Sequence, residues 1–429
     1  MDRSGPLSGG RLAPAHRRVT LTTLAVVAVA WLGHLAVALS AVHGDDLGYI
    51  DLLVYRAGGS AILHGNSIYA GDFAGVNDSP NGLPFTYPPF SGLLFVPFAL
   101  VPVSAAKVLM ALANAVAGLV FFAVFVLAIS GRWQRLRSWG ALTAPISVRT
   151  GSVLAAAAVL FWFSVPVREN FNHGQVNMIL AAVVAVDLLL PTVRWPRGLL
   201  VGIAVAVKLT PAVFIGYFFV TRQWRAMVTS LLTAAAAVLV AWLVIPADTV
   251  RYFSTTLFDT ERIGGLAFAS NQSIRGVLER FPAVDAHSGV LWLVAVALVL
   301  ALAIAAILAS RRRGDVPAAV LSAAFIGLLC SPVSWGHHWV WLSAAMVYLL
   351  MRWAATGGAG TAVAAVAVTA VTVAAPWTYL PSADDRERLW SPLQHAVGNA
   401  WALVALGLLL WFALADRRTR TDREDVGCA

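Results

Sequence analysis

Runs of apolar residues recur along this chain from end to end, each close to the roughly 20 that a helix rising about 1.5 Å per residue needs to cross about 30 Å of hydrocarbon. Backbone groups deprived of water must bond within their own segment, and unbroken apolar runs lack the alternation of a barrel strand, so helices are the expected spanning element. Of 429 residues 59% are hydrophobic and 12% charged, and the mean hydropathy is +0.77, the composition of an integral membrane protein. We expect an all-α polytopic membrane protein with spans near 20–41, 104–129, 150–166, 177–191, 226–245, 288–309, 316–331, 338–352, 358–375 and 394–414.

Two apolar segments fit this scheme poorly. The stretch from Tyr87 to Pro102 carries Pro88, Pro89, Pro97 and Pro102, so either it dips into the membrane without crossing or the loop after it lies on the other side. The stretch from Leu199 to Val220 is interrupted by Lys208-Leu-Thr-Pro211, which suggests two short helices in a hairpin. Broken helices at membrane depth are tolerated where they line a protein cavity.

The net charge of +9 is topological. Arginines cluster at Arg3, Arg11, Arg17 and Arg18, at Arg132, Arg135, Arg137 and Arg149, at Arg194 and Arg197, at Arg222 and Arg225, at Arg311 to Arg313, at Arg352, and at Arg417 to Arg423. By the positive-inside rule these segments and both termini are cytoplasmic. Acidic residues favour the opposite loops, among them Asp45, Asp46, Asp51, Asp72, Asp78, Glu169, Asp248, Glu261 and Asp285. A nucleic-acid partner is therefore not expected; membrane lipids are. The run from Thr20 to Ala41 is too long for a signal-peptide core and reads as an anchor. The expected layout is a cytoplasmic tail (1–19), one transmembrane domain (20–414) with outer loops near 42–86, 167–176, 246–287 and 376–393, and a second tail (415–429). With Cys330 and Cys428 as the only cysteines, a disulfide framework or thiolate metal site is excluded.

The outer segments are polar in a selective way. Asp51, in Gly48-Tyr-Ile-Asp-Leu-Leu-Val-Tyr-Arg-Ala-Gly-Gly59, begins the first of them. Tyr55, Arg56 and Tyr87 follow it, and aromatic rings beside carboxylates suit a sugar, whose hydroxyls need hydrogen bonds and whose C–H faces stack. The loop Arg168-Glu-Asn-Phe-Asn-His-Gly-Gln-Val-Asn177 offers Arg168, Asn172, His173, Gln175 and Asn177, more polar side chains than a turn needs. Asn271, Gln272 and Arg275 form a third cluster, and Asn271-Gln-Ser273 fits a glycosylation sequon, a frequent chance match. A fourth, Ser331-Pro-Val-Ser-Trp-Gly-His-His-Trp339, presents His337 and His338 to opposite sides of a helix start, so one of them is expected to hold a phosphate or shuttle a proton. Lys208 near mid-membrane marks a substrate position or pairs with a freed carbonyl or Asp187, whereas Lys107 sits near a span end and can snorkel. No spaced set of metal ligands accompanies these residues, so no metal and no cofactor is expected.

Taken in order, Asp51-x-x-x-Tyr-Arg with Gly58 and Gly59, Leu63-His-Gly-Asn-Ser-Ile-Tyr69, Phe85-Thr-Tyr-Pro-Pro89, Gly174-Gln-Val-Asn177, Lys208-Leu-Thr-Pro211, Asn271-Gln-Ser273 and Ser331-Pro-Val-Ser-Trp335 form a set. It resembles the actinobacterial polyprenyl-phosphate-mannose-dependent mannosyltransferases of glycosyltransferase family 87, from about Thr20 to Trp411. The resemblance implies a GT-C fold with about 10–12 membrane passages, a polyprenyl-phosphate-mannose donor, and transfer outside the plasma membrane, with α-1,2 linkage favoured. The acceptor would be a mannosylated glycolipid of the phosphatidylinositol mannoside, lipomannan or lipoarabinomannan type. It carries the family's catalytic aspartate onto Asp51 and its histidine onto His337 or His338. The chemistry agrees with an inverting transfer: a β-linked mannosyl phosphate needs an acceptor hydroxyl deprotonated on the opposite face, by Asp51, and a phosphate stabilised by Arg168, Lys208 or a protonated His337. The alternative is a transporter or flippase of lipid-linked sugars, which also uses broken helices but needs no carboxylate-rich first loop.

Overall fold

The computed structural model describes residues 14–40, 42, 48–76, 79, 82–131, 146–259, 264–281, 284 and 288–415. Asp45, Asp46, Asn77, Asp78, Glu261, Arg262, Asp285, the Arg132 to Arg137 segment, Arg3, Arg11 and the tail arginines from Arg417 onward lie outside these residues. Among the described residues every regular element is a helix.

The first apolar run forms α1 (Pro14–Ser40), followed by α2 (Ile50–Leu63), the single turn α3 (Phe73–Val76), α4 (Pro89–Ala99) and α5 (Val103–Ser130). Prolines at the starts of α4 and α5 suit positions where a backbone donor would be unpaired anyway. At 11 residues α4 is only about 16 Å long, too short to cross the hydrocarbon. Next come α6 (Val148–Phe163) and α7 (Val165–His173), bent by 40° at Ser164, where extended backbone and Pro166 end one helix and start the other. The segment 167–176, expected as a loop, is thus largely helical. After α8 (Asn177–Leu189) come α9 (Leu199–Val207) and α10 (Val213–Val220), separated at Lys208 and a 3₁₀ turn, as the Lys-Leu-Thr-Pro interruption requires. The chain continues through α11 (Trp224–Val244), α12 (Pro246–Ser254), α13 (Ile274–Glu279), α14 (Ser288–Arg312), α15 (Val316–Cys330), α16 (Val340–Thr356), α17 (Ala359–Ala374), α18 (Pro392–Gly398) and α19 (Ala400–Leu414).

Each expected span coincides with a helix, but the helices are of two kinds. Among the described residues four (α1, α5, α11 and α14) are long and apolar enough to cross a membrane, or six spans if α6 with α7 and α18 with α19 each count as one. Shorter apolar helices of 10–17 residues, including α8, α15, α16 and α17, accompany them. The long helices leave Val29, Leu232, Leu243 and Leu298 exposed, an apolar belt suited to lipid. By contrast α15 and α16 are buried along most of their length and form the centre of the bundle.

Small residues set the closest helix contacts, as expected where lipid removes the hydrophobic drive between helices. Gly198 and Gly202 face Ala226 and Ser230, the same four-residue spacing on both partners, and Ser230 Oγ donates to Gly198 O at 2.9 Å. Asp187 caps the start of α9: its carboxylate accepts from Gly198 N at 2.9 Å, Val201 N at 3.2 Å and Trp195 Nε1 at 3.2 Å. Asp187 is therefore not a partner of Lys208. Lys107 does not snorkel; it is buried with its Nζ 5.6 Å from the Tyr49 ring centroid.

A Cβ on Gly202 would stand 2.6 Å from both Ser230 O and Thr233 Cβ, whereas one on Gly407 would meet nothing within 4 Å. Gly202→Leu is expected to destabilise the protein by about 1–3 kcal/mol through overpacking, while Gly407→Ala is neutral or slightly stabilising. Thermal unfolding of both variants in one detergent checks this. Equal melting points would mean that the α9–α11 contact is not tight.

Candidate active site

Asp51 is placed by an unusual helix start. Tyr49, immediately before α2, adopts a left-handed φ of 66°, its N–H donates to Asn172 O at 2.5 Å, and its hydroxyl donates to Ala38 O at 3.2 Å. The end of α7 is pressed against this start. Gly174, at φ 64°, has room for no Cβ, which would lie 2.7 Å from Leu52 Cβ and 3.0 Å from the Tyr49 ring. The close approach brings Gln175 beside Asp51, in the first turn of α2, where a carboxylate is favoured by the helix dipole.

Gln175 has both ends of its amide engaged. Its Oε1 accepts from Tyr55 Oη at 2.9 Å, Tyr87 Oη at 3.0 Å and Asn177 Nδ2 at 3.2 Å. The amide NH₂ therefore turns to Asp51 and donates to it. Tyr55 stands one helical turn after Asp51, on the same face, and its ring stacks on Phe95 with centroids 4.2 Å apart. Burial raises the Asp51 carboxyl above its ordinary value, opposed by the Gln175 hydrogen bond and by His173 and Lys208.

Opposite lies a basic group. Lys208, in the break between α9 and the 3₁₀ turn, donates from Nζ to Asn177 Oδ1 at 2.7 Å and to Tyr87 Oη at 3.4 Å, and lies 3.0 Å from His338 Nε2. When Lys208 is an ammonium it has only donors, and His338 Nε2 then accepts with its own proton on Nδ1. The two histidines do not point to opposite sides. They lie on a 3₁₀ turn, Gly336–His338, with ring centroids 4.7 Å apart, and both line the same cavity. The turn is held by its backbone: His337 O accepts from Asn170 Nδ2 at 2.7 Å and Asn177 Nδ2 at 3.2 Å. Burial, reinforced by His338, His173 and Lys208, pushes His337 well below its ordinary value, which favours the neutral imidazole over the protonated form named beside Arg168 and Lys208 as a phosphate partner.

These groups surround one cavity of about 860 Å³, lined by Asp51, Tyr55, Tyr87, His173, Gln175, Lys208 and both histidines, together with aromatic walls from Tyr252, Trp335 and Trp377. Glu169, also on the wall, was absent from the sequence-based set although it lies in the segment that supplied it. Burial raises its carboxyl to about 7, against His173 and Arg168, which lower it. Asn170 was missed as well, since a buried asparagine one turn from a helix end gives no sequence signal. Among the described residues no three His, Cys, Asp or Glu side chains converge to hold a metal ion.

Other expected site residues lie elsewhere. Arg56 turns away from the cavity, donating to Phe98 O and, at 2.7 Å, to Val101 O, so it fastens the end of α4 to α2. Arg168 and Asn172 are exposed on α7, and neither lines the cavity. Arg275 pairs with Glu279 at 2.6 Å. Asn271 and Gln272 are fully buried braces: Asn271 Oδ1 accepts from Ser334 N at 2.9 Å, and Gln272 Nε2 donates to Gly398 O at 2.7 Å. In this fold the Asn271 sequon is inaccessible.

A polar cavity with a buried carboxylate at one side and a lysine–histidine pair at another suits transfer of a group that departs as an anion. Residues 85–332 match the family described as Glycosyltransferase family 87, a match that begins after Asp51. The chain is 37% identical over 351 residues, 81% of its length and 80% of the relative's, to the polyprenol-phosphate-mannose-dependent alpha-(1-2)-phosphatidylinositol mannoside mannosyltransferase of Mycobacterium tuberculosis. The protein of the same name from Mycolicibacterium smegmatis is 32% identical over 435 residues, 96% of this chain and 91% of the relative. A polyprenol-phosphate-mannose-dependent alpha-(1-2)-phosphatidylinositol pentamannoside mannosyltransferase of M. smegmatis is 34% identical over 339 residues, 79% of this chain and 77% of the relative. No solved structure matches. On the extent of these similarities the chain belongs to glycosyltransferase family 87, a polytopic membrane family of GT-C fold.

Proposed function

We propose that this enzyme transfers mannose from polyprenyl-phosphate-mannose to a phosphatidylinositol mannoside, forming an α-1,2 linkage at the outer face of the plasma membrane. The observation that carries this reading is the pairing, in one cavity, of Asp51 with the Lys208–His338 couple. In the reaction the acceptor oxygen attacks C1 of the donor mannose and the C1–O(phosphate) bond breaks, its electron pair leaving on phosphate. Asp51 takes the acceptor proton. The Lys208 ammonium exchanges a protein partner for a phosphate oxygen, with His338 and Tyr87 holding it in place. Anomeric inversion follows from attack opposite the leaving group. The relatives' names supply donor, acceptor and linkage, and the arginine distribution supplies the orientation. The layout consistent with this is one catalytic domain over 20–414.

Asp51→Asn keeps the shape and removes the base, and general-base removal lowers turnover by about 10²–10⁴-fold. Donor binding and thermal stability are expected to stay near wild type. Because burial raises the Asp51 carboxyl above its ordinary 3.8, and only its ionised form accepts a proton, kcat/KM is expected to fall as pH drops through a value above the normal carboxylate range. Asp51→Asn loses that acid limb. Near-normal turnover of the variant, or an unchanged pH profile, would refute the assignment.

The donor and the orientation are tested together. Purified protein is expected to use polyprenyl-phosphate-mannose and not GDP-mannose, and a cysteine at Ser254, in a chain with Cys330 and Cys428 replaced by Ser, is expected to react with an impermeant thiol reagent added outside intact cells. Transfer from GDP-mannose alone, or labelling only after permeabilisation, would contradict the reading.

A further inference from the structure

Glu169, on α7, lines the cavity together with Asp51 of α2 and Asp259, and the fold makes room for it. Gly336 is bare beneath it: a Cβ there would collide with Oε2 and stand 2.9 Å from Cδ, so any other residue at 336 would push the carboxylate out of its place. Among the described residues no hydrogen bond or ion pair reaches the Glu169 side chain, although it lines a polar cavity. A carboxylate so placed, with its acceptor capacity unused, is fitted to take hydrogen bonds from a ligand.

Its position relative to the reacting groups indicates which ligand. His173, one turn further along α7 and held by an Nδ1 contact of 2.8 Å to Glu169 O, lines the same cavity as Asp51 and Glu169. The basic couple, Lys208 and His338, makes its contacts with Asn177, Tyr87 and each other and none with Glu169. A displacement places the leaving phosphate and the incoming hydroxyl on opposite faces of the transferred sugar. A carboxylate would repel the donor phosphate, so a free one in this cavity is fitted to the uncharged acceptor. Trp335, adjoining Gly336 on the same wall, offers the ring face on which a sugar stacks.

We propose that Glu169 is an acceptor-binding residue that sets acceptor specificity, receiving hydrogen bonds from the 3- and 4-hydroxyls of the acceptor's terminal mannose while its 2-hydroxyl faces Asp51. This rests on the mannosyl transfer proposed above. Gly336 serves as the notch that admits the carboxylate.

The test uses the full chain in lipid nanodiscs with polyprenyl-phosphate-mannose as donor and octyl α-mannopyranoside, or its 3-deoxy and 4-deoxy analogues, as acceptor. Removing hydrogen bonds to a charged group costs about ten- to a hundredfold in affinity, so Glu169→Ala is expected to raise the KM of the parent acceptor by that factor. The KM of the donor is expected to stay within about twofold, since a carboxylate makes no favourable contact with a phosphate. In wild type the deoxy analogues bind more weakly than the parent; in Glu169→Ala that difference disappears, because the carboxylate that read the missing hydroxyl is gone. Glu169→Gln, which conserves shape, and Gly336→Ala, which displaces the carboxylate without removing it, should shift the same constant in the same direction and guard against a folding defect in the alanine variant. An unchanged acceptor KM, a rise in donor KM instead, or a deoxy penalty that persists undiminished in Glu169→Ala would overturn the proposal. Wild-type protein that transfers to no mannoside would overturn the function on which it rests, and the proposal with it.

Discussion

The candidate site depends on one contact, the backbone of Gly174 lying against Leu52 and Tyr49. That contact joins the end of α7 to the start of α2, two elements more than a hundred residues apart. It seats Gln175 between Asp51 on one side and Tyr55 with Tyr87 on the other. From Gln175 the network continues through Asn177 to Lys208 and His338, and by Asn170 and Asn177 to the His337 carbonyl. In a low-dielectric interior such a chain is worth having only when each member is satisfied, and here donors and acceptors alternate along it. A Gly174 side chain would part the two helices and leave the carboxylate without its amide.

The sequence was legible where chemistry and periodicity spoke together. The apolar runs located the helices, and Lys208-Leu-Thr-Pro211 located the break, since proline and an ionised side chain cannot continue an apolar helix at no cost. Asp51, Tyr55, Tyr87, His173, Gln175, Lys208 and the two histidines meet in one cavity. What sequence reading could not supply was side-chain direction. Arg56 sits one residue after Tyr55, and on a helix that rotation alone carries it from the cavity to the Phe98 and Val101 carbonyls. Asn271 and Gln272 look the same in sequence as Asn177, yet they face a neighbouring loop. Glu169 was concealed for the opposite reason: the segment was read as a loop, whereas its helical spacing sets Glu169 and His173 on one face.

The segments expected outside do less as a lid than as a brace. Asn271, Ser273 and the Gln272 backbone fasten the Pro332–Ser334 stretch that leads into the histidine turn. Arg280, fully buried, gathers the carbonyls of Ala267, Phe268 and Asn271 and the Asn399 side chain. Polar residues that suggested ligand contact are thus spent on backbone groups that a loop outside regular structure would otherwise leave unpaired. The histidine turn inherits its rigidity from them.

The amide clamp on Asp51 also bears on how the site resets. Gln175 cannot rotate, because its oxygen is engaged by two tyrosines and Asn177. Its NH₂ is therefore a fixed donor aimed at the carboxylate, strongly matched to the anion and weakly to the neutral acid. On the proposed mechanism each turnover would leave Asp51 in the mismatched form. The same interaction that readies the proposed base before reaction would then work to expel the proton afterwards, so that regeneration of the site would be driven by a side chain that never meets the proton itself.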